Sequence, residues 1–377
     1  MSSSSRRNEN MLDIYDKFKA SCDFSKVGKI LGKGAFGEVR DIVYKNKTMA
    51  GKLIKRENDE KSEEEKYGVD LRGPNIIKIN KVYTKKIDGN TYDLIIMEKA
   101  ILRDLGKLNE FYHHHNLLKL IYFPFDEPSG DCLLRFYARQ IISALETLDR
   151  NYFVHYDIKP ENLLISVNLI VKLSDFSLLT KIENGTTKIP GGTQGYLSPE
   201  YYIERNVDSE DARKQDYFAL GSTFFFLKYG QQMLKYKKSD INIINSFYIL
   251  DTIQKQISFI ESQQNTDKDF IEFLCSLINY RPKDRPSFEE IYRNKWLNKD
   301  VDYINNIFYT YENDEEKLIM ELQKKDFLIQ KEKEFKHYLF RDEDLNKNEN
   351  NNWIDKNKEK EIQRKQCRYR FKKKINH

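Results

Sequence analysis

Cysteine and tryptophan are scarce in this chain, and proline is not abundant. Its 377 residues include four cysteines, two tryptophans and eight prolines. Cys22, Cys132, Cys275 and Cys367 lie far apart and form no C-x-x-C pair. That spacing speaks against a zinc site or a disulfide framework and suits thiols in a reducing compartment. Long apolar runs are missing too: no stretch approaches the roughly 20 residues that a membrane-spanning helix needs. The opening MSSSSRRNEN lacks the hydrophobic core of a secretory signal. These absences lead to the expectation of a cytoplasmic protein, or a nuclear one, rather than a secreted one. A strong charge imbalance is also absent. The formal charge of +5 is modest for this length and gives no reason by itself to expect nucleic-acid binding.

What is present is chemistry at short spacing. Residues 155–166 read HYDIKPENLLIS, and Asp175-Phe176-Ser177 follows. Asp157 can accept a hydroxyl proton, and Lys159 can neutralise charge on a moving phosphate. Asn162 and Asp175 can offer hard oxygen ligands to magnesium. Upstream, residues 31–39 read LGKGAFGEV. Gly32, Gly34 and Gly37 would let a hairpin bring backbone N–H groups close to phosphates. Met49-Ala50-Gly51-Lys52 follows one short strand later and supplies a cation.

The pattern along the chain divides into three parts: a polar lead-in over 1–23, a catalytic domain over 24–298, and a charged, partly helical extension over 299–377. The lead-in allows a helical turn around Met11 to Ala20. Short strands punctuated by glycine run from Lys26 to about Leu53, and Glu57 to Leu71 reads as a charge-rich helix. Ile76–Val82 and Tyr92–Met97 read as strands joined by a turn at Asp88-Gly89-Asn90. Leu134, Ala138, Ile141, Ile142, Leu145 and Leu148 mark one face of a helix over 133–148. His113-His114-His115 lies in a long connection, where consecutive histidines converge poorly on one metal ion. Asp216 to Gly221 opens the most apolar helix of the chain.

Together these motifs resemble the eukaryotic protein kinases, with KPEN as in the serine/threonine branch. The resemblance runs from about Phe24 to Leu297. It implies an α+β, two-lobed fold with a small antiparallel-sheet lobe and a mostly helical one, using ATP and Mg2+ on protein substrates with serine or threonine acceptors. It assigns Lys52, Asp157 and Lys159 to catalysis, with a glutamate partner for Lys52. Spacing to Pro74-Asn75-Ile76 points to Glu64 as that partner, with Glu63 and Glu65 as rivals. ATP would lie among Leu31, Gly32, Lys33, Gly34, Ala35, Phe36, Gly37, Val39, Ala50, Lys52 and Leu164. Met97 would wall the pocket, the backbone of Glu98 and Ala100 would bond the adenine edge, and Asp104 would reach the ribose. Asn162 and Asp175 would bind the metal. Thr193, Glu200, Asp216 and Arg285 would be structural: Thr193 orients the loop, Asp216 holds its backbone, and Glu200 pairs with Arg285.

Three departures from the family stand out. Tyr156 replaces the usual arginine before the catalytic aspartate, and tyrosine cannot grip a phosphate bidentately. Ser177 stands where glycine ends the metal motif. Gly68 falls one turn after Glu64, where a large apolar residue is usual. These departures feed the alternative of a pseudokinase scaffold, although Lys52, Asp157, Lys159, Asn162 and Asp175 are all present. Leu178, after the metal motif, resembles the large residue that favours serine over threonine. Glu161 and Asp104 correspond to carboxylates that can pair with a basic residue three before the acceptor. In the extension, 317–339 carries apolar residues at loose heptad spacing. The acid-free stretch from Arg364 to Lys374 would suit an acidic partner.

Overall fold

The computed structural model describes residues 11–299 apart from 20, 35–36, 59, 101–103, 108–130, 167–169, 184, 204, 236–245 and 265. The triple histidine and the extension beyond Lys299, with its heptads and basic end, therefore lie outside the described residues.

β1 (Phe24–Gly34), β2 (Gly37–Tyr44), β3 (Lys47–Lys55), β4 (Ile79–Ile87) and β5 (Asn90–Met97) form an antiparallel sheet in the order β1-β2-β3-β5-β4. Asp88 and Gly89, both at positive φ, make the two-residue turn between β4 and β5, a conformation that matches strand twist. Side chains alternate across β3. Ala50 and Ile54 join the core shared with the helical lobe, while Met49 and Leu53 join Ile42, Leu94 and Ile96 on the outer face.

The outer face is covered by α1 (Met11–Lys19), which buries Ile14, Tyr15 and Phe18. The segment read as a polar lead-in therefore contributes to the core. The Tyr15 hydroxyl is directed at the carbonyl oxygens of Glu38 (2.9 Å) and Gly51 (2.6 Å), on β2 and β3. Glu38 belongs to the glycine-rich hairpin itself, and Gly51 to the strand paired beside it. We expect Tyr15→Phe to cost about 1 kcal/mol in urea denaturation, the worth of one net hydrogen bond. A change below a few tenths would show that the hydroxyl contributes nothing.

The segment 57–71 departs from its expected helix. Only its second half is helical: Glu64–Gly68 is a π-type stretch of five residues, continued on either side by the bonds Lys66 N–H to Ser62 O and Leu71 N–H to Tyr67 O. Its charge-rich sequence offers little apolar surface to bury, and Gly68 weakens a helix by about 1 kcal/mol relative to alanine. Tyr67 still packs on Phe153, and Leu71 is buried. β4 also starts later than expected. Ile76 and Ile77 instead approach Leu173, with Ile77 N–H donating to Leu173 O at 2.9 Å, which ties the sheet lobe to the helical lobe.

The helical lobe is built around α2 (Asp131–Arg150) and, after the short α3 (Pro199–Ile203), α4 (Ser209–Tyr229). The apolar stripe expected on α2 is buried at all six positions. α4 begins seven residues before Asp216 because the Asp208 side chain accepts from the N–H groups of Glu210 and Asp211. It ends at Gly230 in the left-handed conformation. α5 (Ser246–Glu261), α6 (Lys268–Leu277) and α7 (Phe288–Tyr292) complete the lobe, and Trp296 packs fully buried on Phe270. Short pairings carry the loops of the site. β6 (Phe153–Val154) pairs with β9 (Thr180–Lys181), β7 (Leu163–Ile165) with β8 (Val171–Leu173), and β10 (Thr186–Lys188) with β11 (Asn206–Asp208).

Candidate active site

Lys52 projects from the inner face of β3 and is 8 % exposed. Its Nζ lies 2.8 Å from Glu64 Oε1 and 2.7 Å from Asp175 Oδ1. Glu63 instead pairs with Lys66, and Glu65 with Arg56. Burial alone would depress the Lys52 ammonium, but the two carboxylates outweigh it and hold the group protonated. Burial likewise pushes the Asp175 carboxyl up, yet Lys52 and the Ser177 hydroxyl bring it well below the usual range.

Gly68 is explained by crowding. A Cβ there would come within 2.8 Å of Ile79 Cδ1 and 3.3 Å of Phe176 Cδ2. Ile79 and Phe176 already crowd that position, and fully buried Phe176 meets His155 edge-on.

The catalytic loop is held from below by Asp216 on α4. Its Oδ2 accepts from His155 N–H at 2.7 Å and its Oδ1 from Tyr156 N–H at 2.9 Å. Those two bonds fix Tyr156 at a φ of 64°, a conformation that bulky residues rarely adopt. Burial pushes the Asp216 carboxyl up to about 7, against the pull of the two N–H donors. Next in the chain, Asp157 Oδ1 accepts from Thr193 N–H (2.9 Å) and from the Thr193 hydroxyl (2.7 Å). Asp157 Oδ2 accepts from Lys159 Nζ (2.6 Å) and Asn162 Nδ2 (2.9 Å). Lys159 Nζ also donates to Thr193 Oγ1 at 2.6 Å. Three residues from two loops therefore interlock around one carboxylate.

The nucleotide side is less tightly built. Ala50 and Met97 are buried opposite each other in the β3–β5 register, Val39 lies opposite Lys52, and Leu31, Val39 and Leu164 pack against the main core. Added Cβ atoms at Gly32 and Gly34 would meet nothing within 4 Å, so the protein's own packing does not call for glycine there. Open space beside a hairpin backbone fits phosphates. Gly37 differs: its φ is +150° and a Cβ would lie 2.0 Å from Leu53 O. Lys33 forms an ion pair with Glu38 across the hairpin. Ala35 and Phe36 lie outside the described residues. Glu98 N–H donates to Lys78 O, which leaves its carbonyl as the group for an adenine edge. Ala100 follows on the same connection, partly exposed. Asp104 bridges to Leu164, and its carboxylate accepts from Lys107 N–H and pairs with Lys107 Nζ.

Magnesium suits the donors that remain. Asn162 spends its amide N–H groups on Asp157, so its side-chain oxygen is the atom that it could offer to a cation, as could the ionised carboxylate of Asp175. Among the described residues there is no group of three or more His, Cys, Asp and Glu that could hold a metal. One carboxylate plus one amide oxygen is the sparse set with which magnesium is held when phosphates and waters complete its shell.

Farther down, Arg285 Nη2 lies 2.6 Å from Glu200 Oε1, and both residues are buried. Tyr156 is also buried, packed among Val154, Ile182, Ile189, Val207 and Ala212. Burial raises its phenol, so the ring is neutral and gives a phosphate no positive charge. Arg56 and Asp93 escaped the sequence reading, although an acid inside the apolar run of β5 was a usable signal of a buried pair.

Residues 25–297 match the protein kinase domain family. The chain belongs to the protein kinase family. It is 28 % identical over 295 residues to an Aurora kinase of Saccharomyces cerevisiae, covering 77 % of this chain and 74 % of that protein. A 3-phosphoinositide-dependent protein kinase B of Dictyostelium discoideum is 28 % identical over 76 % of this chain and 30 % of its own length. The human serine/threonine-protein kinase MRCK alpha is 29 % identical over 54 % of this chain and 12 % of its own. The sheet lobe, the helical lobe and the loops between them are thus those of a protein kinase domain. Among the described residues no helix is long and apolar enough to cross a membrane.

Proposed function

We propose that this kinase domain transfers the γ-phosphoryl group of Mg-ATP to serine and threonine hydroxyls of protein substrates. The observation that carries the reading is the double constellation: Lys52 bonded to both Glu64 and Asp175, and Asp157 interlocked with Lys159, Asn162 and Thr193. Lys52 positions the α- and β-phosphates. Asp157 takes the proton of the attacking hydroxyl as the oxygen–phosphorus bond forms and the bond to the β-phosphate oxygen breaks. Lys159 offsets charge on the equatorial oxygens. Asn162 and Asp175 would hold magnesium, which neutralises the phosphates when bound. The adenine would lie between Ala50 and Leu164 against Met97, bonded by the backbone of Glu98 and Ala100, with Asp104 toward the ribose.

Lys159 argues for serine or threonine over tyrosine, and Leu178 argues for serine over threonine. Exposed Glu161 is the carboxylate for a basic residue before the acceptor, since Asp104 already pairs with Lys107. Labelled ATP and a peptide library containing all three hydroxyl residues test this, with Asp157→Asn as control. Transfer no greater than that of the control would overturn the enzyme reading. Tyrosine or clear threonine preference would overturn the substrate assignment.

Regulation follows from the activation segment. Backbone bonds pair 186–188 with 206–208, and Ser209 N–H donates to Gly185 O. Tyr156 anchors the segment by apolar packing where the family's arginine would seek a phosphate. A phosphate on Thr186 would stand opposite Asp208 in the register, a like-charge neighbour. We expect phosphatase treatment and Thr186→Ala/Thr187→Ala to leave initial rates within about threefold of untreated enzyme. A loss beyond about tenfold, roughly 1.4 kcal/mol in the barrier, would defeat this expectation.

A further inference from the structure

Arg56 follows β3 directly, and its N–H extends the ladder by donating to Thr91 O at 2.8 Å. Its side chain is 7 % exposed and grips three segments. Nε and Nη2 hold the two oxygens of Asp93 at 2.9 and 2.7 Å. Nη2 also reaches the Glu65 carboxylate and the Thr84 hydroxyl, and Nη1 donates to the Glu60 carbonyl. Asp93 is completely buried on β5, and the Thr84 hydroxyl is 2.6 Å from its Oδ1. A desolvated, bidentate pair of this kind fixes its partners tightly, since either charge left alone would be costly.

Arg56, one residue past β3, continues its ladder and lies four residues after Lys52, so both project to one face. They catch consecutive carboxylates of the next segment: Lys52 takes Glu64, and Arg56 takes Glu65. That segment is helical only from about Ser62 to Leu71, with a π-type stretch at its centre that breaks the regular ladder, and Gly68 weakens it further. Glu64 is 2 % exposed, and its Oε2 has no hydrogen-bond partner, which biases the carboxylate toward water. The turn's own contacts are thus poor security for the Lys52–Glu64 pair.

We propose that Arg56 is a positioning residue: anchored on Asp93, it holds Glu64 against Lys52 by way of Glu65. The inference rests on the proposed ATP-dependent reading of the Lys52 site. The brace reinforces a short, irregular helical stretch that covers only the second half of 57–71.

Glu65→Ala severs the link and leaves Arg56 on Asp93, so the fold keeps its buried pair. Saturating Mg-ATP favours the arrangement in which Glu64 meets Lys52 and so recovers most of the lost population. The KM for ATP should therefore rise about tenfold while kcat stays within about threefold. Glu65→Gln, which keeps an acceptor for Arg56, should recover part of the change. Glu63→Ala, which touches only the exposed Lys66 pairing, should leave KM as it is. Amide exchange across 61–71 should quicken in Glu65→Ala alone. An unchanged KM in Glu65→Ala, or an equal rise in Glu63→Ala, would overturn the brace. Should wild type transfer no phosphoryl group, the enzyme reading fails separately, and calorimetric ATP affinity then decides. A tenfold weaker Kd in Glu65→Ala supports the brace, and an unchanged one overturns it.

Discussion

Asp157→Asn should lower phosphoryl transfer by at least about a hundredfold, and Lys52→Met and Asp175→Asn should do the same by different routes. In Asp157→Asn the side-chain oxygen can still accept from Thr193, but the basic oxygen that faces Lys159 and Asn162 is gone. Lys159 keeps its bond to Thr193, so the loop retains much of its geometry while losing the proton acceptor. ATP affinity should therefore stay close to wild type as kcat falls. Lys52→Met acts on phosphate binding, and it also leaves Glu64 and Asp175 without their shared cation. Lys52 is what holds the Asp175 carboxyl below its ordinary range against the effect of burial. Its removal lets that carboxyl shift upward, so residual activity should fall as pH drops and the metal ligand protonates. Asp175→Asn removes that ligand charge outright and should raise the magnesium concentration needed for half-maximal rate. Equal activity in wild type and Asp175→Asn would defeat the metal assignment, and equal activity in wild type and Asp157→Asn would defeat the base.

Much of this site was legible because its chemistry is local in sequence. Asp157, Lys159 and Asn162 fall within six residues, and Asp175 follows one β-hairpin later. Lys52 was fixed by a strand whose register places it beside Val39. Choosing among Glu63, Glu64 and Glu65 needed the turn itself, because three adjacent acids point in three directions and a π-type turn does not keep helical periodicity. The covering of the sheet by α1 was hidden for another reason. A nine-residue helix with three apolar anchors carries little signal of its own, and its stability comes from the sheet beneath it. Arg56, Asp93 and Glu65 were hidden because they converge from three elements up to 37 residues apart. Tyr156 was legible as a departure but not as a packing residue, since its neighbours Ile189, Val207 and Ala212 lie beyond the metal motif.

The largest stability loss is expected at Arg285. Its guanidinium side chain is fully buried and donates to the carbonyls of Asn279 (2.8 Å), Lys214 (3.0 Å) and Tyr280 (3.2 Å) as well as to Glu200. Arg285→Ala strips all four acceptors at once and leaves Glu200 buried, with its Oε2 already unpartnered. Removing one member of such a pair costs about 3–5 kcal/mol, a large share of the roughly 5–15 kcal/mol that holds a domain together. Glu200→Ala should cost less, because the three carbonyls still receive the Arg285 N–H groups. Glu200→Gln should be milder again, since it keeps an acceptor. The paired change Arg285→Met/Glu200→Leu should be less damaging than Arg285→Ala, as no charge is then left buried. Urea denaturation of the five proteins gives the order directly. A loss below about 1 kcal/mol in Arg285→Ala, or a paired variant more damaging than Arg285→Ala, would show that the pair does not carry this part of the fold. Because the pair ties α3, at the end of the activation segment, to the loop before α7, the folded fraction of Glu200→Gln should keep its KM for ATP. Its KM for peptide should rise, since α3 closes the segment on which a substrate would rest.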